Sequence, residues 1–207
     1  MVAEPAGPTP APAPAAPRPR DTQRSRLYRA EVDGGANLGS LEGCRAVACR
    51  VVASDWWRRR FPAHTLEALP RLRPGHGARH AFFGLLGPEP TITLPRRYRT
   101  EGVVLHELVH WALFEDGVAA HGPTFARVLL DATAAFRGAE IAGRLLAGYR
   151  AQRVRVGVPG RERPDGTVRY GDDERAALAA RARRVSRGRR SWPSPDLHPR
   201  TWSRDPR

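Results

Sequence analysis

Between Thr100 and Phe114 the chain carries Val103, Val104, Leu105, Leu108, Val109, Trp111, Ala112 and Leu113, which surround nearly the whole circumference of a helix. A helix that is apolar all round belongs in a core. This one is interrupted by His106, Glu107 and His110. Three polar groups within five buried positions are costly without partners, so any fold of this chain must supply those partners. His106 and His110 lie one turn apart and project from the same face, where two imidazoles can grip one ion. Glu107, between them, can take a proton from a water held by that ion, the arrangement of an HExxH metallohydrolase. Zinc suits imidazole ligands, and three protein ligands leave a fourth position for the water. With 7 His in 207 residues, composition alone supplies on the order of 0.01 matches to this pattern. The plain alternative is a pair of helical histidines satisfied by hydrogen bonds beside a surface glutamate.

The third ligand decides the subclass. His121 stands just past the predicted end of the helix and immediately before Gly122-Pro123, where proline fits the first turn of a following helix. A short loop can return its ring to the ion, so His121 is the expected third ligand. Asp116 is the rival, at the third-ligand position of HExxHxxGxxH/D, but Leu113 replaces the glycine that this pattern requires. Glu140, on a later helix, is a more distant candidate. His64, His76, His80 and His198 read as ordinary loop or surface residues. Tyr98 and Tyr149 are oxyanion partners by residue type alone.

Around this centre the chain divides into three parts. Residues 1–22 are rich in Pro and Ala with few large apolar side chains, and are expected to form a disordered tail. Ser40 can cap a helix through Leu41, Cys44, Ala48, Val51 and Val52 to about Trp57. Two extended runs follow, 78–84 and 91–94, joined by a Gly/Pro-rich connection. After the HExxH helix, which Glu115-Asp116-Gly117 ends, come helices from Pro123 to about Gly138 and from Ala139 to Tyr149. Val154, Val156 and Val158 suggest a last strand. Residues 159–207 are Arg- and Pro-rich and are expected to be largely disordered, apart from a weak helix over 173–187. The ordered domain is therefore 23–158. Cys44 and Cys49 are five residues apart, which turns them about 140° from each other on a helix, and they read as two small buried side chains rather than a metal pair or a disulfide.

The net charge of +14 invites an anionic partner, since clustered cations neutralise phosphates. Every one of the 35 basic residues is arginine, however, and with abundant Ala, Gly and Pro this is the profile of a GC-rich genome. No secretory signal and no run of roughly 18 apolar residues is present, so the expectation is a cytoplasmic chain outside the membrane.

The run Leu105-His106-Glu107-Leu108-Val109-His110, followed by His121-Gly122-Pro123-Thr124-Phe125, resembles the SprT-like zinc metallopeptidases, in which an HGxxF element supplies the third histidine. The layout over roughly 24–158, with Ile92-Thr93-Leu94-Pro95 ahead of the helix, is also similar to a group of small, mostly actinobacterial metallohydrolases. The resemblance implies an α+β, zincin-like domain with a short sheet packed on the HExxH helix, Zn2+ on His106, His110 and His121, Glu107 as general base and a polypeptide substrate. It also suggests that 91–94 is an edge strand for an extended substrate, the alternative being a plain core strand. The linker before His121 is shorter than in many SprT-like proteins and no cysteine-rich ribbon follows, so a DNA-linked role is not carried over. The non-enzymatic alternative is a basic nucleic-acid-binding protein with a structural zinc site, its contacts made by the arginines of 175–190.

Overall fold

The computed structural model describes residues 19–31, 34–75, 80–114, 116 and 118–172. Among these described residues it is an α+β fold with six α-helices, a three-stranded sheet and a two-stranded hairpin. At its centre lies α4 (Glu101–Leu113), capped by Thr100, whose hydroxyl accepts a hydrogen bond from the Val103 N–H at 3.3 Å. Val104, Leu105, Leu108 and Val109 are completely buried, as expected of a helix with no wet face. Helices α2 (Leu41–Val52) and α5 (Pro123–Arg137) pack against it, and the sheet lies across it through β2 (Phe82–Leu86).

Where one helix was expected from Leu41 to Trp57, the structure has two. Ser40 caps α2 as predicted, but α2 stops at Val52 and α3 (Asp55–Arg60) begins afresh. The cause is Ser54, whose hydroxyl donates to the Val51 carbonyl at 2.6 Å and accepts from the Trp57 N–H at 3.2 Å. With Asp55 in the first turn, this is a helix start. The reorientation buries Trp57 fully, stacked on Trp111 of α4.

In the sheet, β3 (Glu89–Leu94) is the central strand, parallel to β1 (Arg71–Pro74) on one side and antiparallel to β2 on the other. Thr91, Ile92, Thr93 and Leu94 are all buried. The suggestion that 91–94 forms a substrate-binding edge is thus overturned, because both sides of β3 are already paired. The edges are β1 and β2, and β2 starts at Phe82, later than expected, and runs to Leu86. The long connection expected between the two strands shrinks to a tight turn in which Gly87 takes φ 63°, a backbone that favours glycine.

Two further departures matter for the site. First, a helix that the sequence did not suggest, α1 (Pro19–Ala30), crosses α6 (Ala139–Ala151). It is anchored by buried Leu27 and by Gln23, whose amide donates to the Arg155 carbonyl at 3.0 Å. The crossing is close: a Cβ on Gly148 would lie 3.1 Å from the Ala30 carbonyl oxygen. Second, packed structure continues past residue 160. The expected strand at 154–158 does not form; that segment runs against the start of α5, with the Gly157 N–H donating to the Pro123 carbonyl at 2.8 Å. Beyond it, β4 (Arg161–Glu162) pairs with β5 (Val168–Arg169). Val168 and Tyr170 then enter the core, and Tyr170 donates to Asp131 at 3.0 Å. The predicted helix at 173–187, the arginines of 175–190, His76 and His198 lie outside the described residues, as does most of the 1–22 tail. Cys44 is buried, Cys49 half-buried, and both are free thiols.

Candidate metal centre

The rigid part of the centre is α4. One helical turn sets His106 and His110 on the same face, and their Nε2 atoms approach to 3.1 Å. His121 completes the group with its Nε2 at 3.0 Å from that of His110. Its backbone has φ 60°, a left-handed conformation uncommon for a side chain larger than glycine or asparagine. The turn 119–122 closes through the Gly122 N–H on the Ala119 carbonyl at 2.8 Å, and Pro123 then starts α5. A strained backbone held where three imidazoles meet is where function tends to concentrate. Phe125, in the first turn of α5, packs against all three imidazoles with ring centroids 4.3–5.1 Å apart.

This donor set fits a metal. Tetrahedral zinc with nitrogens at about 2.0–2.1 Å places those nitrogens about 3.3 Å apart, close to the separations found here. Among the described residues, His106, His110 and His121 form a group able to hold one ion. Two of the three protonation states agree with that use in the absence of an ion. Burial, together with the charge on His106, drives His110 far below the usual imidazole range and lowers His121 to about 3. Both rings are therefore neutral at pH 7 and offer lone pairs. His106 is raised: burial lowers it, but Glu31 and Glu107 outweigh that.

Neither Asp116 nor Glu140 joins the group. Asp116 is exposed in the turn after α4, and Glu140 extends into solvent to pair with Arg144 at 2.6 Å. The tyrosines named from sequence are also elsewhere. Tyr98 lies 3.3 Å from His80 Nδ1, and Tyr149 is fully buried.

Sequence reasoning missed two residues, both from the end of α1. Glu31 Oε2 accepts a hydrogen bond from His106 Nδ1 at 2.8 Å, which orients the ring and leaves its Nε2 for an ion. Tyr28 stacks on His106 with centroids 5.4 Å apart and 17° between planes, and its hydroxyl stands 3.2 Å from His121 Nε2. The available signal was a spacing of three, Leu27 with Ala30 and Tyr28 with Glu31, which makes one apolar and one polar stripe on a single helical turn.

Glu107 is buried, 3 % exposed, yet it borders a cleft of about 480 Å³ that His110, His121 and Tyr28 also line. Its Oε2 accepts a hydrogen bond from the Phe83 N–H of β2 at 2.7 Å. Burial raises the Glu107 carboxyl, while His106 and the Phe83 N–H act against the rise. The cleft lining also includes the apolar Leu113, Phe114, Val118 and Phe125.

The fold and the centre together define an α+β chain with three converging histidines able to hold a metal ion. No family model, no curated protein and no solved structure matches it. No helix among the described residues is long and apolar enough to cross a membrane.

Proposed function

We propose that the protein is a zinc-dependent hydrolase acting on polypeptides, as the resemblance to SprT-like metallopeptidases also implies. The observation that carries this reading is the placement of Glu107: a buried carboxylate with a raised pKa, next to the three-histidine group and facing an open cleft. A structural metal site has no need of such a group. The ion, held by His106, His110 and His121, would supply Lewis acidity to the scissile carbonyl and lower the pKa of the attacking water.

The remaining work falls to side chains of this chain. Glu107 takes the proton from the attacking water and returns it to the departing amine, a general-base and general-acid role suited to a carboxyl that burial pushes up. The Phe83 N–H holds one carboxylate oxygen and so fixes where the other points. Glu31 keeps the His106 ring in register. The polypeptide class is supported by β2, an edge strand whose side chains Phe82, Leu85 and Leu86 are about half exposed and which borders the cleft. Such an edge offers main-chain hydrogen bonds to an extended chain irrespective of its sequence.

The test is Glu107→Gln, which preserves shape and removes the base. With β-casein as an unfolded substrate, the zinc-loaded variant is expected to retain about one zinc per chain and to lose activity by at least 10²-fold. Equal cleavage by variant and wild type would remove Glu107 from the chemistry.

A further inference from the structure

A hydrolytic centre of this kind needs a group that meets the negative charge developing on the carbonyl oxygen as water adds. Glu107 cannot serve, being an anion on the β2 side of the cleft. Candidates come from the other side, where α1 crosses the mouth of the site with Arg24 and Tyr28, one turn apart. The Tyr28 hydroxyl is within hydrogen-bond distance of His121 Nε2, at 3.2 Å, a separation close to the nitrogen–nitrogen spacing within the trio. The hydroxyl therefore lies beside the nitrogen that His121 would offer to an ion.

The nitrogen lone pair that Tyr28 shares here is the one an ion requires. Once His121 is engaged by the ion, the Tyr28 hydroxyl must turn to another acceptor, and the cleft is the open direction, because the residue is 41 % exposed. The ring itself is not free to wander. It lies on the His106 imidazole and is tilted against His121 at 5.2 Å, while Leu27 and Ala30 of the same helix are buried. The Arg24 guanidinium stands 5.4 Å from the Tyr28 ring and adds a fixed positive charge beside the position in question.

From this geometry, and resting on the hydrolase reading above, we infer that Tyr28 is a catalytic residue: it donates its hydroxyl hydrogen to the carbonyl oxygen of the scissile bond. As water oxygen adds to the carbonyl carbon, its proton passes to Glu107. The carbonyl π pair moves onto oxygen, where the Tyr28 hydroxyl stabilises it. When that pair returns, the C–N bond breaks and the amine leaves with the proton from Glu107. Tyr28 keeps its own proton throughout, as a hydrogen-bond donor. Held in place by its ring contacts, the donor costs no reorganisation when the charge develops.

The experiment uses the full chain with Tyr28→Phe, which retains the ring and its stacking. Three quantities are read: kcat and KM on β-casein, zinc affinity by chelator competition, and acetohydroxamate affinity of the cobalt-loaded protein followed in the visible spectrum. Removing one such donor is expected to lower kcat by about 10²–10³, with KM and zinc affinity within about threefold of wild type and acetohydroxamate bound about tenfold more weakly. Unchanged kcat overturns the assignment. So does a loss explained wholly by weaker zinc binding, which would make Tyr28 a support for His121. If the wild type leaves casein intact, the hydrolase reading fails on that arm, while the acetohydroxamate arm still decides Tyr28: equal affinities in variant and wild type overturn its role.

Discussion

At the scale of single residues, the centre depends on side chains whose burial would be unfavourable without one another. His106, 3 % exposed, finds its partner in Glu31 on one nitrogen and the metal group on the other. A carboxylate behind a ligating histidine orients it and raises its basicity, and losing it typically costs 10–100-fold in metal affinity. Glu31→Ala is accordingly expected to weaken zinc binding by about that factor while leaving all three ligands in place, as chelator competition would measure. Unchanged affinity would mean that α4 alone fixes the ring. The three converging histidines and the Glu107 beside them were legible in the sequence because their chemistry is tied to a short local spacing. Glu31 and Tyr28 were not, because they lie some 75 residues from His106 along the chain and reach it only through the packing of two helices.

At the scale of elements, α1 determines whether those two residues arrive. It is a polar, arginine-rich helix, and such helices form in proteins chiefly because a partner covers their apolar stripe. Its partner is α6, and Gly148 is the position that allows the close approach, with 3.1 Å from a would-be Cβ to the Ala30 carbonyl. Gly148→Val should push α1 outward. The expected result is a stability loss of about 1–3 kcal/mol, as for other overpacked contacts, together with weaker zinc binding although no ligand is touched. Denaturant melts and chelator competition would register both. The elements read correctly from sequence, α4, α5 and α6, are those with strong helical periodicity or clear start signals such as Thr100 and Pro123. Those misread share another property. The break at Ser54, the short strand Arg71–Pro74 and the 161–169 hairpin are set by one side chain or by distant partners, and local pattern carries little of either.

At the scale of the molecule, the site is coupled to folding through protons. His121 takes up its proton near pH 3 in the fold but near 6.5 when unfolded. Between those values the unfolded state binds more protons, so lowering the pH through that window destabilises the metal-free fold. His121→Asn keeps a residue that tolerates the left-handed backbone and removes the titration. The metal-free wild type is expected to lose stability relative to that variant as pH falls from 6.5 toward 3, in melts run across the range. A constant difference would contradict the burial of the ring. The overall α+β architecture was readable in advance, whereas the order of the sheet was not. β3 became the central strand because both its neighbours found it, which leaves β1 and β2 as the edges. That order puts an edge strand, and not a core strand, beside Glu107.

The central claim is that three imidazoles, from one helix and the turn after it, hold a single ion with one position left open. X-ray absorption at the zinc edge measures it most directly on the zinc-loaded protein. The expected spectrum has one zinc per chain with three imidazole nitrogens and one oxygen at about 2.0–2.1 Å, and loses one imidazole in His121→Asn. A zinc environment with two imidazoles or fewer in the wild type, or one unchanged by that substitution, would contradict it.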